Sequence, residues 1–242
     1  MSLYRKIKYG IRSLGCLVRG EAPISSGEIT KDLVRGCVGK DDPVILEIGC
    51  NDGTHSLWLS EIFRKPKVFC FEPDPRAIAR FKSNVKNHPD IKLFEIALCD
   101  YDGKVDFFQS DGHKRDEHRT RMPDGWDLSG SIRQPKEHLI THPWIKFENK
   151  IEVPAMTLDT WCNEQNIETI DFIWMDVQGA EIDVFRGGGN SLKKTRFIYT
   201  EYSNRELYEG QMNLQQLTEY LKDFTVIKRY PRDVLMKNLK YV

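Results

Sequence analysis

A mostly parallel α/β sheet with helices on both faces is the fold class this chain of 242 residues predicts, and three observations carry the prediction. Short apolar runs at residues 44–48, 67–71, 171–177 and 196–202 alternate with amphipathic helical segments, the pattern of parallel strands joined by crossover helices. Three of these runs close on an acid, Glu47, Glu72 and Asp176, placing carboxylates where open α/β sheets bind ligands. Residues 224–229 and 234–242 flank Tyr230-Pro231-Arg232-Asp233, a terminal hairpin and so an antiparallel finish.

The elements follow in order. Residues 21–43 read as a linker, a short helix and a turn that delivers the first strand. Residues 44–48 are that strand, and Leu57, Trp58, Leu59, Ile62 and Phe63 give the next segment one apolar face. Residues 67–73 are the second strand, and Pro75 suits the first position of the helix after it. His88-Pro89-Asp90 turns the chain into a third strand at 91–98. Residues 104–109 alternate like a half-exposed strand, and regularity returns with a strand at 148–155 and a helix for which Thr157 is the N-cap. Residues 213–222 form the last helix, with Leu214, Leu217 and Leu221 on one face. Between 110 and 147 the chain is polar and broken by Gly112, Pro123, Gly125, Pro135 and Pro143, a lid-like insertion in the domain.

With 40% hydrophobic residues the chain fills one sizeable core. Lys+Arg and Asp+Glu both total 36, so the basic excess of a nucleic-acid binder is missing. Six cysteines without a C-x-x-C pair, several of them on core strands, favour reduced thiols and the cytoplasm. Residues 1–20 carry five basic residues and no acid, with Leu3, Ile7, Ile11, Leu14 and Val18 at helical spacing. Such a helix either docks on the domain or a second subunit, the favoured reading, or rests peripherally on an anionic membrane. The division expected is 1–40 for this helix and linker and 41–242 for the α/β domain.

Gly49-Cys50-Asn51-Asp52-Gly53 follows the first strand and opens a helix, like the nucleotide-binding turn of a Rossmann-type fold. Glu72 lies 25 positions after Glu47 (72−47), near the spacing at which such an acid accepts ribose hydroxyls. The middle glycine of a dinucleotide turn is replaced by Asn51, which tolerates left-handed angles but adds bulk and a polar handle. That favours a ligand without a pyrophosphate, such as S-adenosylmethionine.

Three stretches then resemble the FkbM family of S-adenosylmethionine-dependent methyltransferases. They are Glu47 to Gly53, Met156-Thr157-Leu158-Asp159, and Asp171 to Glu181 with its Asp176-Val177-Gln178-Gly179-Ala180-Glu181 core. Glu47, Cys50 and Gln178 depart from the family's commoner Asp, Ala and Glu, and Gln178 is therefore given no catalytic role. The resemblance implies a Rossmann-like class I methyltransferase fold with a seven-stranded sheet. It further implies that Gly49, Cys50, Asn51 and Gly53 wrap the amino-acid end of the cofactor and that Glu47 stands beneath them. Glu72 would take the ribose, with Pro73 and Asp74 beside the adenine and Ala97 and Leu98 on its other side. Asp176 would face the methyl.

Methyl transfer to a hydroxyl needs a base near the acceptor proton. Asp176 and Glu201 end strands on the predicted crevice, and His138 and His142 in the insertion are the alternatives. His138 and His142 stand at i, i+4 and His113 and His118 form a second pair, but no metal is assigned to them. Trp126 and Trp144 suit a sugar ring, and Arg115, Arg119, Arg121 and Arg133 suit an anionic group. The expected function is O-methylation of a hydroxyl, of a sugar in a glycan or glycosylated metabolite. The alternatives are a polyketide or other small-molecule acceptor, or a domain that binds S-adenosylmethionine without catalysis.

Overall fold

The computed structural model describes residues 23–112 and 125–241. Its first helix, α1 (Lys31–Val38), is capped by Thr30 and ends on Gly39 in the left-handed region. It leads to β1 (Val44–Ile48), α2 (Thr54–Ser60), β2 (Lys67–Phe71), α3 (Pro75–Asn84) and β3 (Ile91–Phe94). Next come β4 (Ala97–Cys99), β5 (Gly103–Asp111), the short α4 (His138–Thr141), β6 (Lys146–Thr157) and α5 (Leu158–Glu164). The chain closes with β7 (Ile170–Met175), α6 (Glu181–Arg186), β8 (Thr195–Glu201), α7 (Leu214–Tyr220), β9 (Phe224–Arg229) and β10 (Asp233–Asn238).

The main sheet has seven strands in the order β3-β2-β1-β7-β8-β10-β9. β10 runs antiparallel to both neighbours, so the terminal hairpin folds back and inserts its second strand next to β8. The mostly parallel sheet with an antiparallel finish is thus as the sequence predicts. β1 lies at the centre, pairing with β2 on one side and β7 on the other. Successive strand residues point to opposite faces. Leu46 and Ile48 accordingly join Phe71, Trp161, Ile173 and Phe185 in one core layer, while Ile45 joins Val34, Leu59, Phe81, Phe172 and Phe197 in the other.

Local signals explain several boundaries. Asp74 caps α3 by accepting from the Arg76 N–H, with Pro75 at the first helical position. Thr157 caps α5, and Asn213 and Gln216 form a capping box on α7.

One expectation changes. The third strand does not run on from 91 to 98. The Glu72 N–H donates to Phe94 O at 3.1 Å, beyond which β2 offers no ladder. The chain therefore leaves the main sheet, and Ala97–Cys99 pairs parallel with β6 in a second, three-stranded sheet ordered β4-β6-β5. The short helix expected within residues 21–43 is α1, and the segment packs on the domain. Ile24 bridges Arg229, Val34 and Val38 are buried, and Val38 O accepts from Arg196 at 2.9 Å. The basic helix expected over residues 1–20 lies outside the described residues. Among the described residues no helix is long and apolar enough to cross a membrane.

β1 and β7 end side by side, with the Asp176 N–H donating to Ile48 O at 2.9 Å. Gly49 follows at φ +83°, and a Cβ there would lie 1.9 Å from Asp176 O. Backbone strain and a backbone clash coincide. Gly49→Ala is expected to cost at least about 2 kcal/mol in urea unfolding, because neither strand end has room to yield.

Candidate active site

A cavity of about 570 Å³ opens where β1, β2, β7 and β8 end. Its volume falls in the range of roughly 300–1,000 Å³ common for small-molecule sites. Ile48, Gly49 and Asn51 line one side, Glu72, Pro73, Ala97 and Leu98 the next, and Asp176, Gln178 and Glu201 the far end. Trp126 to Ile132, His138, His142 and Trp144 enclose it from the insertion.

Glu72 is buried at the tip of β2. Its carboxylate accepts the Asn51 N–H and the Asp74 N–H, each at 2.9 Å. Burial pushes its pKa up to about 7, against the pull of those two N–H groups and with added repulsion from Asp74 and Asp127. A carboxylate offers about four lone-pair positions, so this one retains capacity for further donors. Asn51 stands at φ +44°, the left-handed region its residue type tolerates. Its side chain is held as well. Nδ2 donates to Asp127 at 3.4 Å, and Oδ1 accepts from Arg80 at 3.3 Å.

Four residues expected around a ligand do not line the cavity. Glu47 shares the face of Ile45, two positions earlier, so its side chain enters the α2 layer. There it accepts from Ser56 Oγ, fully buried, with one oxygen unpartnered. Cys50 is buried in that same layer. Gly53, at φ +81°, precedes α2 and packs against Phe81 and Val85. Asp74 is spent on its helix cap, an ion pair with Arg76 at 2.7 Å and a bond from Gln109 at 2.9 Å.

At the far end Gln178 organises two acids. Its Nε2 donates to Asp176 at 2.6 Å and to Glu201 at 3.3 Å, and its Oε1 accepts from Tyr208 OH at 3.2 Å. Gln178 itself is left-handed at φ +52°, and its carbonyl is held by Ser131 Oγ at 2.8 Å. Burial and the neighbouring Asp176 charge hold the Glu201 carboxyl well above its ordinary range, opposed by Arg232 3.7 Å away.

His138 stands among the rings of His142, Phe147 and Tyr208. Burial, then His142, lowers its pKa to about 4, and its buried Nδ1 has no partner. So weak a base suits proton removal less than Glu201, whose carboxyl is held above its ordinary range.

Asp176, Glu201 and His138 thus meet in one cavity with Glu72, Pro73, Ala97 and Leu98. Sequence reasoning missed Gln178, Tyr208 and Asp127. Gln178 carried a signal only as a departure from the family's acid; Asp127 sat unremarked in a charged stretch; Tyr208 carried none, because its contacts are long-range. His113, His118, Arg115, Arg119 and Arg121 lie outside the described residues. Among the described residues no group of three or more His, Cys, Asp or Glu is arranged to hold a metal ion.

The sheet order, with one antiparallel strand beside β8 and an acid-lined cavity at the parallel strand ends, defines a Rossmann-like methyltransferase. The chain belongs to the FkbM family: the Methyltransferase FkbM domain matches residues 47–227. It is 47% identical over 222 residues to 2-O-methyltransferase NoeI of Sinorhizobium fredii, covering 90% of this chain and 88% of that protein. It is 22% identical over 163 residues to hexuronic acid methyltransferase AglP of Haloferax volcanii, covering 67% of this chain and 56% of that one. Among solved structures, the METTL16 MTase domain aligns with a TM-score of 0.48 at 14% identity, over 96% of this chain and 80% of that chain. The protein is an enzyme that transfers methyl groups.

Glu47 generates a stability prediction. Burial, opposed by hydrogen bonds from Ser56 and Cys70, raises its pKa from 4.5 to about 8. Between those values the folded chain holds a proton that the unfolded chain has lost, so this group's contribution falls as pH rises through that window. Glu47→Gln keeps an acceptor for Ser56 and carries no titrating proton. Its melting temperature is expected to match the parent near pH 4.5 and to exceed it by several degrees at pH 9, measured by circular dichroism.

Proposed function

We propose that this enzyme moves a methyl group from S-adenosylmethionine to a hydroxyl oxygen of a sugar. The observation that carries the reading is the single cavity joining Glu72 at one end to the Asp176–Gln178–Glu201 group at the other. The residues present fit the cofactor. Glu72 has acceptor capacity for a ribose diol, and Pro73, Ala97 and Leu98 offer an apolar slot for an adenine. Gly49 puts bare backbone on the wall beside them. The oxygen acceptor is supported by the name of the relative that shares 47% identity, and the sugar by that of the hexuronic acid methyltransferase.

When bound, S-adenosylmethionine supplies an electrophilic methyl on a sulfonium. The chain's own work is to align the acceptor, exclude water and take the hydroxyl proton. Alignment converts an encounter into an oriented collapse and accounts for several kcal/mol of barrier. Trp126, Trp144 and Leu128 wall the cavity from the insertion side, which strengthens electrostatics within it. The Gln178 amide holds Asp176 and Glu201 together, so the proton passes to this carboxylate pair.

The test is mass spectrometry of purified enzyme with S-adenosylmethionine and a panel of free and glycosidic sugars. A methylated sugar is expected, and methylation of none of them with cofactor bound would defeat the sugar assignment. Glu72→Ala removes the acceptor and strands two N–H groups, and is expected to raise the cofactor Kd by about tenfold or more in calorimetry. Asp176→Asn is expected to lower kcat by about 10²-fold or more. A base works deprotonated, and Glu201 titrates above the ordinary carboxylate range. Hence kcat/KM should climb with pH through its pKa, and Glu201→Gln should flatten that limb.

A further inference from the structure

We propose that Arg80 and Asp127 belong to the cofactor site, as positioning residues that latch the insertion onto the glycine turn. The proposal rests on reading the Glu72 end of the cavity as the cofactor's. Sequence reasoning assigned residues 110–147 to the acceptor alone. The structure ties one part of that insertion to the other end of the cavity.

The latch is a triangle of Asn51, Arg80 and Asp127. Asp127 comes from the insertion, lines the cavity, and has a side chain only 1% exposed. Arg80 comes from α3 and donates through Nη2 to the Asp127 carboxylate and, at 3.3 Å, to Asn51 Oδ1. Asn51 closes the figure by donating through Nδ2 to Asp127 at 3.4 Å. Its backbone N–H is already committed to Glu72 at 2.9 Å. One left-handed turn residue is therefore held at its amide by the proposed ribose acid and at both ends of its side chain by the latch. This accounts for Asn at position 51, where a dinucleotide turn has glycine: the side chain is the grip.

A buried acid costs much more to leave unpaired than its ion pair contributes. Arg80 and Asp127 therefore close as a unit or open as a unit. When they part, Asn51 loses both side-chain partners while Asp127 is freed from the turn. The segment from Gly125 to Ser131 is also held by the Trp126 N–H to Gly112 O at 3.1 Å and the Ser129 N–H to Ser110 Oγ at 3.1 Å, and toward the Gln178 end by the Phe108–Ser131 bridge, Tyr208 OH to Ser129 O at 2.7 Å and Ser131 Oγ to Gln178 O at 2.8 Å. Parting the latch thus loosens the wall beside the Glu72 end and leaves the Gln178 end in place. Exchange of the spent cofactor, rather than entry of acceptor, is what the latch governs.

The test uses the full chain and S-adenosylhomocysteine as probe. Arg80→Met, Asp127→Asn and the double variant are titrated by calorimetry, and the probe's dissociation is timed by stopped flow. Each single variant is expected to weaken binding about tenfold, mainly through faster dissociation, and the double variant to be no worse than the poorer single. The acceptor KM should stay within twofold. A purely structural pair would lower the melting temperature of the unliganded protein and leave Kd at low temperature unchanged, which overturns the proposal. A change in acceptor KM with unchanged Kd overturns it too, assigning Asp127 to the acceptor. Should Arg80→Met fail to fold, Asp127→Asn, which keeps the shape of the side chain, decides alone. If the parent protein fails to bind the probe, the cofactor reading falls and the latch with it; binding by the parent with unaltered variants removes the latch only.

Discussion

The peptide group of Asp176 occupies the space that any side chain at position 49 would need. That contact fixes how β1 and β7 end. Because a Cβ at Gly49 would lie 1.9 Å from Asp176 O, the two strands stop in close register and the chain turns away in opposite directions after each. One turn carries Asn51 toward Glu72 and the other carries Gln178 toward Glu201. The cavity is the gap between these diverging turns. Both Asn51 and Gln178 accept left-handed angles to make it, and each spends its side-chain amide on fixing neighbouring groups.

Buried carboxylates dominate the chemistry that results. Glu47, Glu72, Glu181 and Glu201 all have pKa values raised chiefly by burial. They are not equivalent. Glu47 has a single hydroxyl and a thiol for company and supports α2 from below. Glu72 is satisfied by backbone N–H groups and faces the cavity. Glu201 shares an amide with Asp176 and sees Arg232. Desolvation sets the direction for all of them, and the hydrogen-bond partners decide which are scaffolding and which are within reach of a ligand.

The seven strands were legible because β-branched runs, glycine turns and caps agree at β1, β2, β7 and β8, and each boundary has a local cause. The placement of Glu72, Ala97, Leu98, Asp176 and Glu201 on one rim followed from that topology. Glu47 could be read as an acid in an apolar strand, yet only its register with Ile45 reveals that it points away from the rim. The split between β3 and β4 was hidden, since apolar residues resume after Glu95 and run on to Leu98, and the break arises from where β2 stops. Tyr208 and Asp127 were out of reach. Their importance comes from Gln178 and Arg80, partners distant in sequence, and neither sits in a periodic pattern.

The departure of β4 from the main sheet has a consequence for how such a chain diversifies. The long β5–β6 ribbon, with β4 along its edge, forms a mount that hangs beside the seven strands without sharing their hydrogen bonds. The segment that returns to β6 is therefore tied to the main body by side chains rather than by a shared ladder: Ser131 Oγ to the Gln178 carbonyl, Arg133 to Asp183 and Asp127 to Arg80. Any replacement segment inherits the guanidinium of Arg80 waiting on α3, and must bring an acid to meet it.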